Sequence, residues 1–175
     1  MDDAELRWLA RAARTCRTIV EVGCYQGRST RALADHCPGT VYAVDPWQGY
    51  YPQDDGAPAK WLDCDAAGRA FGANLADHLL TGKVIAIQAT FEQAMPELKR
   101  RGLCGLADLV FIDGDHRYEE VLGDISRALS FVRPGGTIAG HDYRHKDWPG
   151  VKRAVDEAVE GFMLEHSIWW TVAPP

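Results

Sequence analysis

The chemistry of this chain concentrates in two short runs. Asp113-Gly114-Asp115-His116-Arg117 and Gly140-His141-Asp142-Tyr143 together hold three carboxylates and two imidazoles. Carboxylates bind hard divalent cations through oxygen, and imidazole exchanges a proton near neutral pH. Both runs directly follow apolar, β-forming stretches at 109–112 and 137–139, so both stand where a strand has just ended. Neighbouring parallel strands lie about 4.8 Å apart, so Asp113 and Asp142 reach one cation if those two strands are adjacent. Each residue also has a plainer reading, N-capping for Asp115 or His116 and an Asx turn for Asp142. Those readings explain one residue each and leave the gathering of ionisable groups unaccounted for.

A second set follows the first two strands. Glu21-Val22-Gly23-Cys24-Tyr25-Gln26-Gly27-Arg28-Ser29-Thr30 turns from an apolar run into a helix at about Ser29. Gly23 and Gly27 permit a tight turn and a close backbone approach, and the helix start offers free N–H groups. The spacing is not the GxGxxG of nicotinamide enzymes, and Tyr25 stands where that fingerprint needs a glycine. A ligand without a phosphate suits this turn better. Asp45 ends the second strand, 24 positions after Glu21, where a carboxylate accepts hydrogen bonds from both hydroxyls of a ribose. An aspartate before proline is also a common turn signal, so Asp45 gains its meaning from the first turn beside it.

The elements that must position these groups read as an alternation. Short apolar runs at 18–22, 41–44, 84–87, 109–112 and 137–139 show little polar alternation, as strands buried on both faces do. Between them lie helical patterns. The clearest is Tyr118, Val121, Leu122, Ile125, Leu129 and Val132, which Arg133-Pro134-Gly135-Gly136 is expected to break. Residues 60–80 and 150–160 are expected to be helical too, and 162–164 with 168–172 to form an antiparallel hairpin at a sheet edge. Strand and helix in repeated alternation predict a doubly wound α/β fold, whose ligands sit beyond the carboxyl ends of the strands. The Gly-, Pro- and aromatic-rich stretch 47–60 reads as a substrate lid there, with Tyr50, Tyr51 and Trp61 to stack on an acceptor and Trp148 to close the other side. Of Trp169-Trp170, one ring is expected inward and the other under a helix or a second copy, which leaves a homo-oligomer open.

Composition removes other classes. A chain of 175 residues with 46% apolar and 25% charged residues is read as one domain over 1–175 with a real core. A net charge of −6 argues against a nucleic-acid clamp or a polybasic membrane anchor. No apolar run is long enough to span a bilayer, and the acidic start Met-Asp-Asp-Ala-Glu resembles neither a secretory signal nor a transit peptide. Cys16, Cys24, Cys37, Cys64 and Cys104 form an odd set with no CxxC pair, which speaks against a disulfide framework and a zinc ribbon and for a cytoplasmic protein with reduced thiols.

Taken together, EVGCYQGRST, AVDPW, FIDGDHRYEEVLGDISRALSFVRPGGTIAGHDY and GVKRAVDEAV resemble the class I S-adenosylmethionine-dependent methyltransferases. The likeness is to the branch of small methyltransferases related to macrolide and aminocoumarin sugar O-methyltransferases and to a cephalosporin hydroxylase component. It implies a Rossmann-like, mostly parallel seven-stranded sheet with a C-terminal antiparallel hairpin. It places the amino-acid end of S-adenosylmethionine near Glu21, Gly23 and Gly27, with Tyr25 and Ser29 close by. Asp45 would hold the ribose, Trp47 would flank the adenosine, and Ala89 and Thr90 would line the adenine pocket. Asp113 would adjoin the cofactor and, with Asp142, hold a divalent cation, magnesium or manganese. Asp115 would be the base. The family's third ligand is a carboxylate where this chain has His141, which shifts preference away from magnesium or signals that no metal binds.

The implied reaction is O-methylation of a small hydroxylated, sugar- or natural-product-like molecule. A cation at Asp113 and Asp142 would acidify the hydroxyl, and Asp115 or His116 would take its proton, position favouring the first and ordinary pKa the second. The competing reading is a non-catalytic protein that binds S-adenosylmethionine or S-adenosylhomocysteine for a partner. A nicotinamide dehydrogenase fails on the missing GxGxxG.

Overall fold

The structure is a computed structural model, in which residues 1–48 and 63–174 are described. Five apolar runs form its parallel strands: β1 (Thr18–Val22), β2 (Thr40–Asp45), β3 (Val84–Gln88), β4 (Ala107–Ile112) and β5 (Val132–Gly140). Helix α1 (Asp3–Ala13) precedes them, and α2 (Arg28–His36), α3 (Cys64–Asn74), α4 (Ala76–Leu80), α5 (Phe91–Arg100) and α6 (Tyr118–Ala128) connect them. Helix α7 (Pro149–Ala158) leads into the hairpin β6 (Met163–Glu165) and β7 (Ile168–Val172). The sheet runs β3-β2-β1-β4-β5-β7-β6, with β7 antiparallel to both neighbours. This is the predicted doubly wound, mostly parallel, seven-stranded sheet, in which β6 takes the edge and β7 lies inside.

Side chains alternate across the sheet and divide the core in two. Ile19, Val41, Leu109 and Phe111 face α1, α2 and α3, while Val20, Val22, Val110 and Ile112 face α5, α6 and α7. Helix α1 starts with a capping box: the Asp2 side chain accepts from the Glu5 backbone, and the Glu5 side chain accepts from the Asp2 backbone. Its Trp8 lies 5.3 Å from Trp170, so a helix covers the second ring of the tryptophan pair, and Trp169 is buried.

Register aligns the functional ends. Val22 pairs with Val44 and with Ile112, and Ile112 pairs with Gly140. One further hydrogen bond extends each ladder, from Gly23 N to Val44 O, Asp113 N to Val22 O, and His141 N to Ile112 O. Gly23, Asp113 and His141 therefore stand side by side. Strand order reverses between β1 and β4, which makes this edge the switch point.

Some expectations shift. The 60–80 stretch is two helices, α3 and α4, parted at Leu75, and its first residues lie outside the described ones. Helix α6 stops at Ala128, leaving Leu129 half exposed and Val132 already in β5. The Pro134-Gly135-Gly136 run thus sits inside a strand, accommodated by a register shift against Ala107 and Leu109. No helix among the described residues is long and apolar enough to cross a membrane.

Candidate functional site

Two groups of residues meet at the switch point. The first is the turn after β1. Gly23 and Gly27 both have φ of 85°, the left-handed region that glycine enters without strain. The close approaches they allow are to the chain itself. A Cβ on Gly23 would stand 2.2 Å from the Asp113 carbonyl oxygen, and one on Gly27 would stand 2.3 Å from Leu75. Asp45 locks the same turn, its carboxylate accepting from the backbone N–H groups of Cys24, Tyr25 and Trp47 at 2.9, 2.9 and 2.7 Å. Burial raises the Asp45 carboxyl above its ordinary value, against those three donors.

Beneath the turn, Glu21 is fully buried, and among the described residues neither of its oxygens meets a hydrogen-bond partner in good geometry. Ser29 and Thr30 of α2 are buried near it, and among the described residues the Thr30 hydroxyl likewise meets no partner in good geometry. Burial lifts the Glu21 carboxyl to about 7, which the two hydroxyls offset only in part. Trp47 is buried against Phe71 with ring centroids 4.6 Å apart, and its indole N–H donates to the Tyr25 carbonyl at 2.8 Å. Tyr25 itself is exposed.

A cavity of about 320 Å³ opens beside this turn, lined by Gly23, Val44, Pro46, Ala89, Thr90 and Asp115 among others. That volume is in the range of small-molecule sites. Of the residues the sequence assigns to the cofactor, Gly23, Ala89 and Thr90 line this cavity, while Glu21, Tyr25, Gly27, Ser29, Asp45, Trp47 and Asp113 are not among the described residues lining it. Thr90 also caps α5, its hydroxyl accepting from Gln93 N at 3.3 Å. A larger cavity of about 520 Å³, between Trp8, Asp108, Arg133 and Trp170, lies at the opposite end of the sheet. Arg11 and Arg133 on its wall are already paired with Glu165 and Asp108 at 2.6 and 2.7 Å. Ligands of open α/β sheets sit at the other end, where the smaller cavity is.

The second group is the ionisable cluster, which the pairing of β4 and β5 brings together as expected. His141 Nδ1 lies 3.0 Å from Asp142 Oδ1 and 3.5 Å from Asp113 Oδ1. His116 Nε2 lies 2.8 Å from Asp142 Oδ2, and the His116 ring stacks on Trp148 at 4.4 Å. The His141 Nε2 faces Glu5 Oε1 of α1 at 3.0 Å. Among the described residues, neither Nε2 meets a partner in hydrogen-bond geometry. Burial pulls His141 down, but Asp113 and Asp142 overcome it and push it up to about 11. Burial would raise Asp142, yet His116 and His141 hold it far below the carboxylate range. Asp113 stays raised, chiefly by burial.

Asp115 does not join this cluster. Arg117 grips it from two residues on, with guanidinium nitrogens 2.7 and 3.1 Å from Asp115 Oδ2. Four described non-glycine residues hold positive φ after strands: His166 at 57° in the β6–β7 turn and, at the switch-point end of the sheet, Tyr25 at 47°, Trp47 at 41° and Asp142 at 61°. Such strain gathers at working sites.

A family model described as a methyltransferase domain matches residues 20–143. The chain belongs to the methyltransferase domain family. Its fold is that of solved methyltransferases. The O-methyltransferase TomG of Streptomyces achromogenes, involved in tomaymycin synthesis and solved with S-adenosylmethionine, is 17% identical, with a TM-score of 0.69 over 99% of this chain and 81% of that one. A Bacillus cereus O-methyltransferase in complex with S-adenosylhomocysteine is 16% identical, with a TM-score of 0.68 over 98% and 82%. A calicheamicin methyltransferase is 15% identical, with a TM-score of 0.69 over 97% and 77%. An uncharacterized protein of Acanthamoeba polyphaga mimivirus is 42% identical over 53 residues, which is 30% of this chain and 24% of that curated relative.

Sequence reasoning missed Thr30 and Arg117 within the matched domain and Glu5 ahead of it. The Asp2-to-Glu5 spacing signals a helix cap and nothing more, and no spacing rule ties α1 to the end of β5.

Proposed function

We propose that this chain transfers a methyl group from S-adenosylmethionine to a hydroxyl of a small sugar- or natural-product-like molecule, assisted by a divalent cation. The observation that carries the reading is the juxtaposition at the switch point. A cavity of nucleoside dimensions lies beside a locked glycine turn, and Gly114 and Asp115 on its wall sit in sequence between Asp113 and His116 of a cluster of two histidines and two aspartates. The sulfonium donor supplies an electrophilic methyl, so the protein must orient the acceptor and move a proton. Ala89 and Thr90 take the adenine side, and the Glu21 to Ser29 turn takes the amino-acid end. Asp45 and Trp47 hold the turn in shape around it, with Tyr25 exposed at its rim.

Asp113, His141 and Asp142 suit a cation. One ligand atom from each lies within 4.8 Å of the others. An ion about 2.1 Å from each donor sets neighbouring donors about 3 Å apart, comparable with the 3.0 and 3.5 Å found. The nitrogen donor favours manganese over magnesium. When bound, such an ion lowers the pKa of an acceptor hydroxyl. Asp142 orients His116, which takes the proton. Asp115 is committed to Arg117 and serves to shape the cavity wall.

The test is methyl transfer from labelled S-adenosylmethionine to a metabolite extract and a panel of sugars and phenols, with and without EDTA. Labelled acceptor that disappears on chelation and returns with manganese supports the reading. S-adenosylhomocysteine binding with no transfer under any condition would instead favour the non-catalytic alternative. We place the protein in the cytoplasm, on its five free thiols, four of them buried.

A further inference from the structure

Glu5 is a buried acid on α1, far in sequence from both functional runs, with its side chain only 7% exposed. One of its oxygens does the work of a helix cap, accepting from Asp2 N at 2.6 Å. The other, Oε1, faces His141 Nε2 at 3.0 Å. The cap does not require the charge, since glutamine serves equally at that place in a capping box. What a carboxylate alone provides is an acceptor-only, negatively charged partner for the far side of the His141 ring.

The two ring nitrogens of His141 face different ways. Nε2 looks toward α1 and is buried, and among the described residues it has no hydrogen-bond partner in good geometry. Nδ1 looks toward Asp113 and Asp142. A histidine that ligates a metal almost always gives its other N–H to a carboxylate or carbonyl, which fixes the tautomer and aims the free lone pair. Among the described residues, Glu5 is the acid that stands in that place. The side chain needs only to bring the Nε2–H onto Oε1, over a separation already of hydrogen-bond length.

We propose that Glu5 is the positioning residue of the cation site. It holds the Nε2–H of His141 so that Nδ1, rather than Nε2, is the ligand atom beside Asp113 and Asp142. This rests on the cation reading given above. It makes helix α1 part of the site, and it predicts that loss of the Glu5 charge weakens metal binding with the three ligands intact.

The experiment is Mn²⁺ titration of the full chain, followed by the loss of the free-ion electron paramagnetic resonance signal. The parent, Glu5→Gln, His141→Asn and the double variant are compared, with melting curves for each. Glu5→Gln is expected to keep the cap and a parent-like Tm while binding Mn²⁺ about 10–100-fold more weakly. In the His141→Asn background, the same change is expected to cost little. Parent-like binding by Glu5→Gln overturns the role of Glu5 and leaves the cation reading intact. An equal loss in both backgrounds shows a merely structural role and also overturns it. A parent chain that binds no Mn²⁺ overturns both readings. Independently of any Glu5 variant, long-range ¹H–¹⁵N spectra of the Zn²⁺-loaded parent report which His141 nitrogen is metal-bound, assigned against His141→Asn. Nδ1 is expected, and metal at Nε2 refutes the proposal.

Discussion

Replacing Glu21 with glutamine isolates the energetic consequence of the buried carboxylate under the first turn. Among the described residues its oxygens meet no hydrogen-bond partner in good geometry, and burial lifts the carboxyl from 4.5 to about 7. An acid raised in this way binds its proton more tightly in the folded chain than in the unfolded one. Its contribution is therefore neutral below pH 4.5, turns unfavourable as the pH climbs toward 7, and stays so above it. At about 1.4 kcal/mol per pH unit, the loss comes to about 3 kcal/mol. Glutamine has nearly the shape of the protonated carboxyl and cannot ionise. Glu21→Gln is thus expected to match the parent at pH 4.5 and to exceed it by about 3 kcal/mol at pH 8. For a chain of this size, that gain is about 6–12 °C in Tm. Urea and thermal unfolding of both proteins at pH 4.5, 6 and 8 measure it. A gain that does not change with pH, or a variant less stable than the parent at pH 8, would refute the reasoning.

Three further outcomes follow from the same geometry. His116→Ala removes the proposed base and is expected to lower kcat by about 10²–10⁴-fold, with S-adenosylhomocysteine affinity unchanged in calorimetry. Gly23→Ala puts a methyl group 2.2 Å from the Asp113 carbonyl at a φ of 85°, and its unfolding free energy in urea is expected to fall by at least about 3 kcal/mol. Because Asp113 and Asp142 hold a proton on His141 up to about pH 11, Mn²⁺ must displace that proton. Its apparent affinity is expected to rise about tenfold per pH unit between pH 6 and 9, as titrations across that range would show. A flat profile would mean that His141 is not a ligand.

The strands were legible because sheets covered on both faces need short, continuously apolar runs, and 18–22 coincides with β1. The adjacency of Asp113 and Asp142 was legible because consecutive strands of a doubly wound sheet tend to pair, as β4 and β5 do. Less visible was how the polar groups divide their labour. Asp115 stands where a base would, yet Arg117 captures it locally. Trp47 follows Asp45 as a ligand-flanking ring would, yet its positive φ turns it into the pocket beside Phe71. The Gly23 and Gly27 approaches, which suggested a ligand, are made to Asp113 and Leu75. Glu5 was the least legible, since its contact depends on where α1 lies across the end of β5. The lid expected over 47–60, with Tyr50, Tyr51 and Trp61, falls almost wholly outside the described residues.

Hydrogen–deuterium exchange with and without S-adenosylmethionine tests the central claim most directly. Added protection is expected in the Gly23–Ser29 turn, at Ala89 and Thr90, and from Asp113 to His116. No protection at a saturating concentration would contradict the account, as would protection confined to the cavity between Trp8 and Arg133.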